Sequence, residues 1–217
     1  VCGASQIIND WYDQEVDSLN EPQRPIPSGR VPKRTALYFA IIWATFAQIW
    51  ALMLGRWVAA ATALGLALAW AYSAPPLRLK LNGWWGNSAV AISYEGLAWI
   101  TGAAIALGGA LPNTKTIVIA LLYSIGAHGI MTLNDFKSAR GDKEMDVRSL
   151  PVQLGIEKAA KIACVFMLAP QVLVIGLLVR WDLLPIAIIV VILVLAQCLA
   201  MNRLLDDPKH FAPWYNA

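Results

Sequence analysis

Long apolar runs separated by short polar segments dominate the chain. Several runs carry few or no charges and are near the ~17–25 residues with which a helix crosses a hydrocarbon core. These runs are 35–54, 57–73, 84–108, 116–133, 162–179 and 183–202. The opening run, VCGASQII, is too short to span a membrane alone. We therefore predict an all-α fold, a polytopic bundle of transmembrane helices in a lipid bilayer.

The composition strengthens this prediction. Of the 217 residues, 58% are hydrophobic and 14% are charged, which is far more apolar than an ordinary soluble domain. Cys2, Cys164 and Cys198 lie in apolar segments without CxxC spacing, which indicates helix packing and no disulfide framework or zinc site. We expect a single transmembrane domain over 1–217, truncated at both ends, and no nucleic-acid partner.

The charges sort onto two sides if successive helices cross in opposite directions. All Lys and Arg residues except Arg56, Lys115 and Arg180 fall on one side, which the positive-inside rule makes cytoplasmic. Asp182 is the only acidic residue on the other side, and Glu95 is the only one in mid-span. Carboxylates and cations gathered at one mouth of a bundle predict a polar chamber there. Such a chamber suits a charged ligand with an apolar tail.

The first acidic segment, NDWYDQEVD at residues 9–17, follows the opening apolar run. Helical spacing places four oxygen-bearing side chains within roughly 100° of arc, and Glu15 points away. The four are Asn9, Asp10, Asp13 and Asp17. No basic residue precedes Arg24 to offset their repulsion, so we expect a cation against this face. The alternative is an acidic helix end exposed to water.

The second acidic segment, residues 134–146, follows the run 116–133. On a continuous helix Asp135, Asp142 and Asp146 lie within roughly 40° of one another, although Gly141 can break that helix. The segment opens with Asn-Asp, as the first one does. Two such clusters on separate helices can face each other across the chamber.

Oxygen ligands without neighbouring His or Cys favour a hard divalent cation. Mg²⁺ usually takes one or two carboxylates together with phosphate oxygens of a substrate. The metal-binding and catalytic candidates are Asn9, Asp13, Asp17, Asp135 and Asp142. Together with the apolar bundle, they predict that a lipid-chain diphosphate binds through Mg²⁺.

Basic residues in the loops could bind the diphosphate. The candidates are Arg24, Arg78, Lys80 and Arg148. Nearby prolines stiffen the loops of Arg24 and Lys80. For Arg30, Lys33 and Arg34 we prefer the simpler interpretation that they set the membrane topology.

The motifs resemble those of the UbiA superfamily of intramembrane prenyltransferases. Asn9, Asp10, Asp13 and Asp17 fill its first motif, NDxxDxxxD, and its second motif is an Asp-rich loop. Within the superfamily, NEPQRPIPSGR, YSAPPLRLKLNGWWGN and NDFKSARGD…RSLPVQLG are similar to chlorophyll synthases. SYEGLAW and GAHGIMTLNDFK are similar to the bacteriochlorophyll branch, from which Asp146 departs. The resemblance extends over nearly the whole chain and implies about seven of an expected nine helices.

The resemblance also implies an activity. It is the Mg²⁺-dependent transfer of a geranylgeranyl or phytyl group from its diphosphate to the propionate of bacteriochlorophyllide, the last step of bacteriochlorophyll synthesis. We expect the protein in the cell inner or intracytoplasmic membrane, in association with other pigment-synthesis or photosynthetic membrane proteins.

An allylic diphosphate can ionise to a carbocation once the charge of its leaving group is neutralised. The nucleophile is the propionate carboxylate, which is already ionised at neutral pH. No general base is then required, and the polar loops contain no Ser/His/Asp or Cys/His arrangement. Tyr72 could stabilise the prenyl cation with its ring face, or it could be an interface anchor.

Glu95 and His128 lie within spanning runs, where an ionisable side chain is costly. His128 could bind the magnesium or the rim of the tetrapyrrole, or it could make an interhelical hydrogen bond. Glu95 could line the pigment pocket or bond a neighbouring helix. Both are therefore pigment-binding candidates.

Other functions stay open. A cation-coupled transporter would place its acids near the bilayer midplane, and a pigment carrier would not need two acidic clusters. Another prenyl acceptor, such as chlorophyllide, haem or an aromatic quinone precursor, is the nearest alternative among enzymes.

Overall fold

A computed structural model describes residues 1–215, apart from the side chain of Asn20, and these residues are almost entirely helical. The α-helices are α1 (Cys2–Tyr12), α2 (Gln14–Asn20), α3 (Lys33–Leu54), α4 (Arg56–Ser73), α5 (Gly83–Ala91), α6 (Ala98–Ala106), α7 (Thr114–Asn134), α8 (Ala139–Glu144), α9 (Leu150–Leu154), α10 (Ile156–Arg180), α11 (Leu184–Asp206) and α12 (Pro208–Tyr215). A 3₁₀ turn covers Leu79–Leu81, and a π-helical turn at Ile92–Leu97 joins α5 to α6. The predicted all-α fold is confirmed.

Within the described residues, five helical segments are long and apolar enough to cross a membrane. They are Lys33–Leu54, Gly83–Ala106, Thr114–Asn134, Ile156–Arg180 and Leu184–Asp206. The run 57–73, which we predicted as a further span, is helical as α4 but is not among these five. The chain is an integral membrane protein.

Residues at the ends of a spanning helix help to fix where it begins and ends, as α11 shows. α11 has a proline in its first turn, where the missing N–H costs no hydrogen bond, and Arg203 in its last turn, where a cation complements the helix dipole. α3 and α11 leave large side chains such as Trp43, Trp50 and Leu193 exposed. Exposed apolar faces of this kind suit a hydrocarbon surround, in which backbone groups must be satisfied within the helix.

The first of two compact units contains residues 1–79 and 97–113. In it α1 packs against α3 and α4, and α4 packs against α3 and α6. Small residues allow close packing, and the contact between the turns that follow α3 and α6 is the tightest example. Gly55 and Gly109 both have positive φ, and a Cβ on Gly55 would lie 2.7 Å from the Cα of Gly109.

Among the described residues, the second unit contains 80–96 and 114–215. α7 packs against α5 and α10, and α10 packs against α9, α11 and α12. Its core includes Leu150, Met167 and Leu204, each at most 2% exposed. Gly129 of α7 abuts α10, since a Cβ there would lie 2.5 Å from the carbonyl oxygen of Ala163. That the chain forms a single domain over 1–217 stays a prediction.

Candidate active site

The first acidic segment spans the junction of α1 and α2. Asp13 lies between the two helices, yet its N–H donates to the Asn9 carbonyl at 3.0 Å and its own carbonyl accepts from the Asp17 N–H at 2.8 Å. The helical turn therefore continues through a local break, and the predicted spacing of Asn9, Asp13 and Asp17 is kept. Glu15 is exposed, as expected for the opposite face.

Arg24 is the cation against this acidic face. Its Nη1 lies 3.1 Å from Oδ1 of Asp10 and 3.1 Å from Oδ2 of Asp17, and its Nε donates to Glu21 at 2.8 Å. Asp17 is only 7% exposed, so the alternative of an acidic helix end in water does not describe it. Arg24 thus joins the loop after α2 to the acidic segment.

Burial and neighbouring charges both act on the carboxyl group of Asp17. Burial raises the pKa of this carboxyl above its usual range, and the charges of Asp13 and Asp10 raise it further, while Arg24 opposes the shift. A second cation near Asp17 would lower the cost of keeping all three carboxylates ionised. The segment is therefore suited to bind a divalent cation.

Residues at the end of α4 and shortly after it also contact the first acidic segment. The amide nitrogen of Asn9 donates to the hydroxyl of Ser73 at 3.2 Å, and Arg78 lies 3.9 Å from the Asp13 carboxylate. Tyr72, half-buried, directly precedes Ser73 in α4. Ser73 could not be predicted from the sequence, because a serine beside a proline-containing loop belongs to no distinct pattern.

The second acidic segment is not one helix. α7 ends at Asn134 and α8 begins at Ala139, so the condition of a continuous helix from Asp135 to Asp146 is not met. The break precedes Gly141, which lies inside α8. The Ser138 hydroxyl lies 3.2 Å from the Asp135 carbonyl and 3.0 Å from the Asp142 carboxylate, and such local bonds compete with helix hydrogen bonds.

In the second acidic segment, Asp135 and Asp142 are connected to each other, whereas Asp146 is separate from them. The Ser138 hydroxyl connects the Asp135 carbonyl with the Asp142 carboxylate, and the charge of Asp142 contributes to raising the pKa of Asp135. Asp146 is exposed, and its backbone has φ of 55°. Asp146, the residue that differs from the bacteriochlorophyll branch, therefore lies in an exposed turn.

Asp135 has a buried hydrogen-bond partner that was not predicted from the sequence. The side-chain amide of Asn87 on α5 donates to Oδ2 of Asp135 at 3.0 Å. Burial raises the pKa of Asp135 to about 6, with Asn87 opposing and Asp142 adding to the shift. The only signal in the sequence was a polar residue inside an otherwise apolar run.

The segments that carry Lys80 and Arg148 are joined by backbone hydrogen bonds. The Arg148 N–H donates to the Leu81 carbonyl at 2.9 Å, and the Gly83 N–H donates to the Arg148 carbonyl at 2.8 Å. Lys80 lies in the 3₁₀ turn directly before this pair. The second unit therefore brings these two predicted diphosphate-binding segments together.

His128 is buried in a cluster of aromatic rings. It is 4% exposed, and its ring stacks on Trp84 with 5.8 Å between ring centroids and lies tilted against Phe166 at 4.6 Å. Its Nδ1 lies 3.2 Å from the hydroxyl of Ser88 on α5, which is the interhelical hydrogen bond of the simpler alternative. Nε2 is buried without a hydrogen-bond partner among the described residues.

Glu95 lines a cavity of about 120 Å³ within the second unit. Other lining residues include Tyr123, Gly126, Met167, Gln171 and Gln197. His128 is not among the residues that line it, so the two pigment-binding candidates do not share this cavity. Glu95 lies in the π-helical turn, a geometry often found at functional sites.

The acidic residues have the right chemistry for magnesium but not a preformed cage. No three side chains from Asp, Glu, His and Cys in the described part of the chain are arranged to hold a metal ion. Carboxylate and amide oxygens are nevertheless the ligands that Mg²⁺ prefers, and substrate phosphates commonly complete its shell. The donor set fits a metal that binds together with a phosphorylated substrate.

Comparison with known proteins identifies the class. The family model described as the UbiA prenyltransferase family matches residues 1–216, so the chain belongs to that family and is a prenyltransferase. This excludes the transporter and carrier alternatives.

Within this family, the chain is similar to bacteriochlorophyll synthase chains. The chain is 53% identical over 216 residues to the bacteriochlorophyll synthase 33 kDa chain of Cereibacter sphaeroides, covering 100% of this chain and 71% of that one. It is 49% identical over 218 residues to the protein of the same description from Rhodobacter capsulatus, covering 100% and 72%. The resemblance of the sequence motifs to this family is confirmed.

A solved structure shows the same fold. It concerns digeranylgeranylglyceryl phosphate synthase in membranes, and it matches 98% of this chain and 74% of its own with a TM-score of 0.79 at 23% identity.

Proposed function

We propose that this protein transfers a geranylgeranyl or phytyl group from its diphosphate to the propionate carboxylate of bacteriochlorophyllide. The observation that carries the proposal is the identity of about half of all residues with two bacteriochlorophyll synthase chains over the whole of this chain. The excess of basic residues on one side supports a site that opens to the cytoplasm from the inner or intracytoplasmic membrane.

Magnesium binding is assigned to the two acidic segments. The ligands we propose are Asn9, Asp13, Asp17, Asp135 and Asp142. Bound Mg²⁺ would neutralise the diphosphate and stabilise it as a leaving group. The crowding of Asp10, Asp13 and Asp17 supports this assignment, because these three carboxylates outnumber the guanidinium groups of Arg24 and Arg78 beside them.

The diphosphate is assigned to Arg24, Arg78, Lys80 and Arg148. Arg24 and Arg78 already lie beside carboxylates of the first acidic segment, and Lys80 and Arg148 lie in adjoining segments of the second unit. Guanidinium groups form paired hydrogen bonds with phosphate oxygens, which favours them for this role.

The reaction needs no proton transfer by the protein. The bond between the prenyl C1 and the diphosphate oxygen breaks, and its electron pair leaves with the diphosphate. An ionised propionate oxygen then bonds to C1 of the allylic cation. Tyr72, at the end of α4, could present its ring to the cation, and the apolar surround excludes water that would capture it.

Pigment binding is assigned to Glu95 and His128. The Glu95 cavity, at about 120 Å³, is smaller than the ~300–1,000 Å³ of ordinary ligand pockets, so we propose that it takes only a substituent of the macrocycle. The buried Nε2 of His128 supports a polar contact with the pigment, because an unpaired buried nitrogen is costly.

A different acceptor is the main alternative. The chain is 33% identical over 215 residues to a digeranylgeranylglyceryl phosphate synthase of Methanopyrus kandleri. The name of that relative indicates a glyceryl phosphate product, so a glyceryl phosphate lipid is one alternative acceptor. Membranes containing this protein should be incubated with labelled geranylgeranyl diphosphate and a panel of acceptors. The panel contains bacteriochlorophyllide, chlorophyllide, haem, an aromatic quinone precursor and a glyceryl phosphate lipid. We expect preferential labelling of bacteriochlorophyllide, and preferential labelling of another acceptor would refute the proposal.

A further inference from the structure

Asn87 is buried at the interface of α5 and α7, next to the second acidic segment. It is 8% exposed, and its Nδ2 lies 3.0 Å from Oδ2 of Asp135. We infer that Asn87 is a positioning residue that fixes the orientation of the Asp135 carboxylate for metal binding. This inference rests on the proposed function, in which Asp135 is a magnesium ligand.

The hydrogen bonds around Asn87 define which way its amide points. Nδ2 is also 3.5 Å from Oγ1 of Thr132, and that hydroxyl donates its own proton to the carbonyl of His128 at 2.9 Å. Thr132 can therefore only accept from Asn87, and the Asp135 carboxylate likewise only accepts when ionised. Both neighbours require the NH₂ group on this side, so the amide has one favourable orientation.

The start of α5 is held firmly, which keeps Asn87 in register with α7. The Asn82 side chain accepts a hydrogen bond from the Trp84 N–H at 3.0 Å and caps the helix. A Cβ on Gly83 would lie 2.5 Å from the backbone nitrogen of Leu150, so the helix begins in close contact with that segment. Asn87 lies little more than one turn further along α5.

Asp135 has a particular need for this donor. It directly follows the last residue of α7, where the helix dipole is negative and disfavours a carboxylate. Asp142 adds a second negative charge nearby. The Asn87 amide offsets part of this charge and engages one carboxylate oxygen, which sets the direction of the other. Groups that orient a ligand in this way typically change metal affinity 10- to 100-fold when they are removed.

The test measures binding of Mn²⁺, a paramagnetic substitute for Mg²⁺, by electron paramagnetic resonance of the purified protein with inorganic pyrophosphate. Asn87→Leu keeps the approximate volume but removes the donor, and Asp135→Ala removes the proposed ligand. Ser124→Ala is the matched control, because it deletes a buried hydroxyl on α7 whose hydrogen-bond partner, among the residues that the structure describes, is the Ala120 carbonyl alone. We expect Asn87→Leu to weaken Mn²⁺ binding about 10- to 100-fold and Ser124→Ala to leave it unchanged.

A double mutant separates positioning from general damage. If Asn87 acts through Asp135, adding Asn87→Leu to Asp135→Ala should weaken Mn²⁺ binding no further. Asn87→Ala serves as a second variant if Asn87→Leu does not fold, as judged by circular dichroism. Normal Mn²⁺ affinity in a folded Asn87 variant, with affinity lost in Asp135→Ala, would overturn the inference alone. Normal affinity in Asp135→Ala would overturn the metal-binding role of Asp135 itself and the inference with it.

Discussion

Asn9 on α1 donates a hydrogen bond of 3.2 Å to Ser73 on α4, and Ser73 is completely buried. The bond uses the amide nitrogen of Asn9 and so directs its amide oxygen elsewhere. It also ties the proposed metal-binding segment to the helix that carries Tyr72. Ser73 is therefore expected to support the reaction without contacting a substrate.

Replacing Ser73 by alanine should lower the rate of prenyl transfer by about tenfold, the lower end of the effect expected when a group that orients a metal ligand is lost. Steady-state rates with the isolated variant measure this. Thr62→Val, on the same helix but roughly three turns away, should retain the wild-type rate. Equal losses in both variants would indicate general damage to α4.

Replacing Asp13 by alanine should abolish turnover while the helices remain formed, because Asp13 lies in a polar segment and outside the hydrophobic core. Initial rates at saturating substrates, with circular dichroism as the folding control, test this. Glu15→Ala changes an exposed carboxylate two residues away and should have little effect. EDTA should likewise stop the wild-type reaction, and added Mg²⁺ should restore it. An active, folded Asp13→Ala protein would reject the metal assignment.

Replacing Arg24 by glutamine should raise the Michaelis constant for the prenyl diphosphate more than that for the pigment. The Arg24 guanidinium lies beside three carboxylates in the free protein, and its loss removes a donor from the proposed diphosphate site. Arg34→Ala, on an exposed part of the first turn of α3, is the control and should change neither constant. An equal rise for both substrates would mean that Arg24 only shapes its loop.

His128→Phe and Glu95→Gln should alter the preference between bacteriochlorophyllide and chlorophyllide more than they alter use of the prenyl donor. Phenylalanine can keep the ring contacts with Trp84 and Phe166 but cannot form a hydrogen bond with Ser88 or the pigment. The expected change in discrimination is roughly 10- to 200-fold, the range for about 1–3 kcal/mol of differential transition-state binding. A competition assay with both pigments measures the ratio of specificity constants. An unchanged ratio in both variants would leave these residues with a packing role only.

The helices were predictable because each apolar run is long enough to form one, and the oxygen-rich segments were visible as unusual clusters in such a chain. The break after Asn134 was not predictable in detail. It depends on hydrogen bonds of Ser138 and burial of Phe136, which compete with helical periodicity only once the tertiary structure forms.

The supporting residues of the site were harder to identify than its charged residues. Ser73 and Asn87 are distinguished by partners 64 and 48 positions away in sequence, and neither partner follows from local spacing. For His128, periodicity indicated a position in a spanning helix but could not identify Trp84 and Phe166 as its neighbours. Long-range packing decides such contacts.

Gly129 directly follows His128 and has no side chain of its own, yet a Cβ there would come within 2.5 Å of α10. Asp135 lies six positions further along the chain, about 9 Å at the rise of an α-helix, so a forced separation of α7 from α10 would also displace its carboxylate. A screen of random mutants for colour loss should accordingly recover Gly129 alongside the acidic residues. Such a variant would show how little the distance between α7 and α10 can change. Gly129 would not be chosen for mutation on chemical grounds, because it has no side chain that could take part in prenyl transfer.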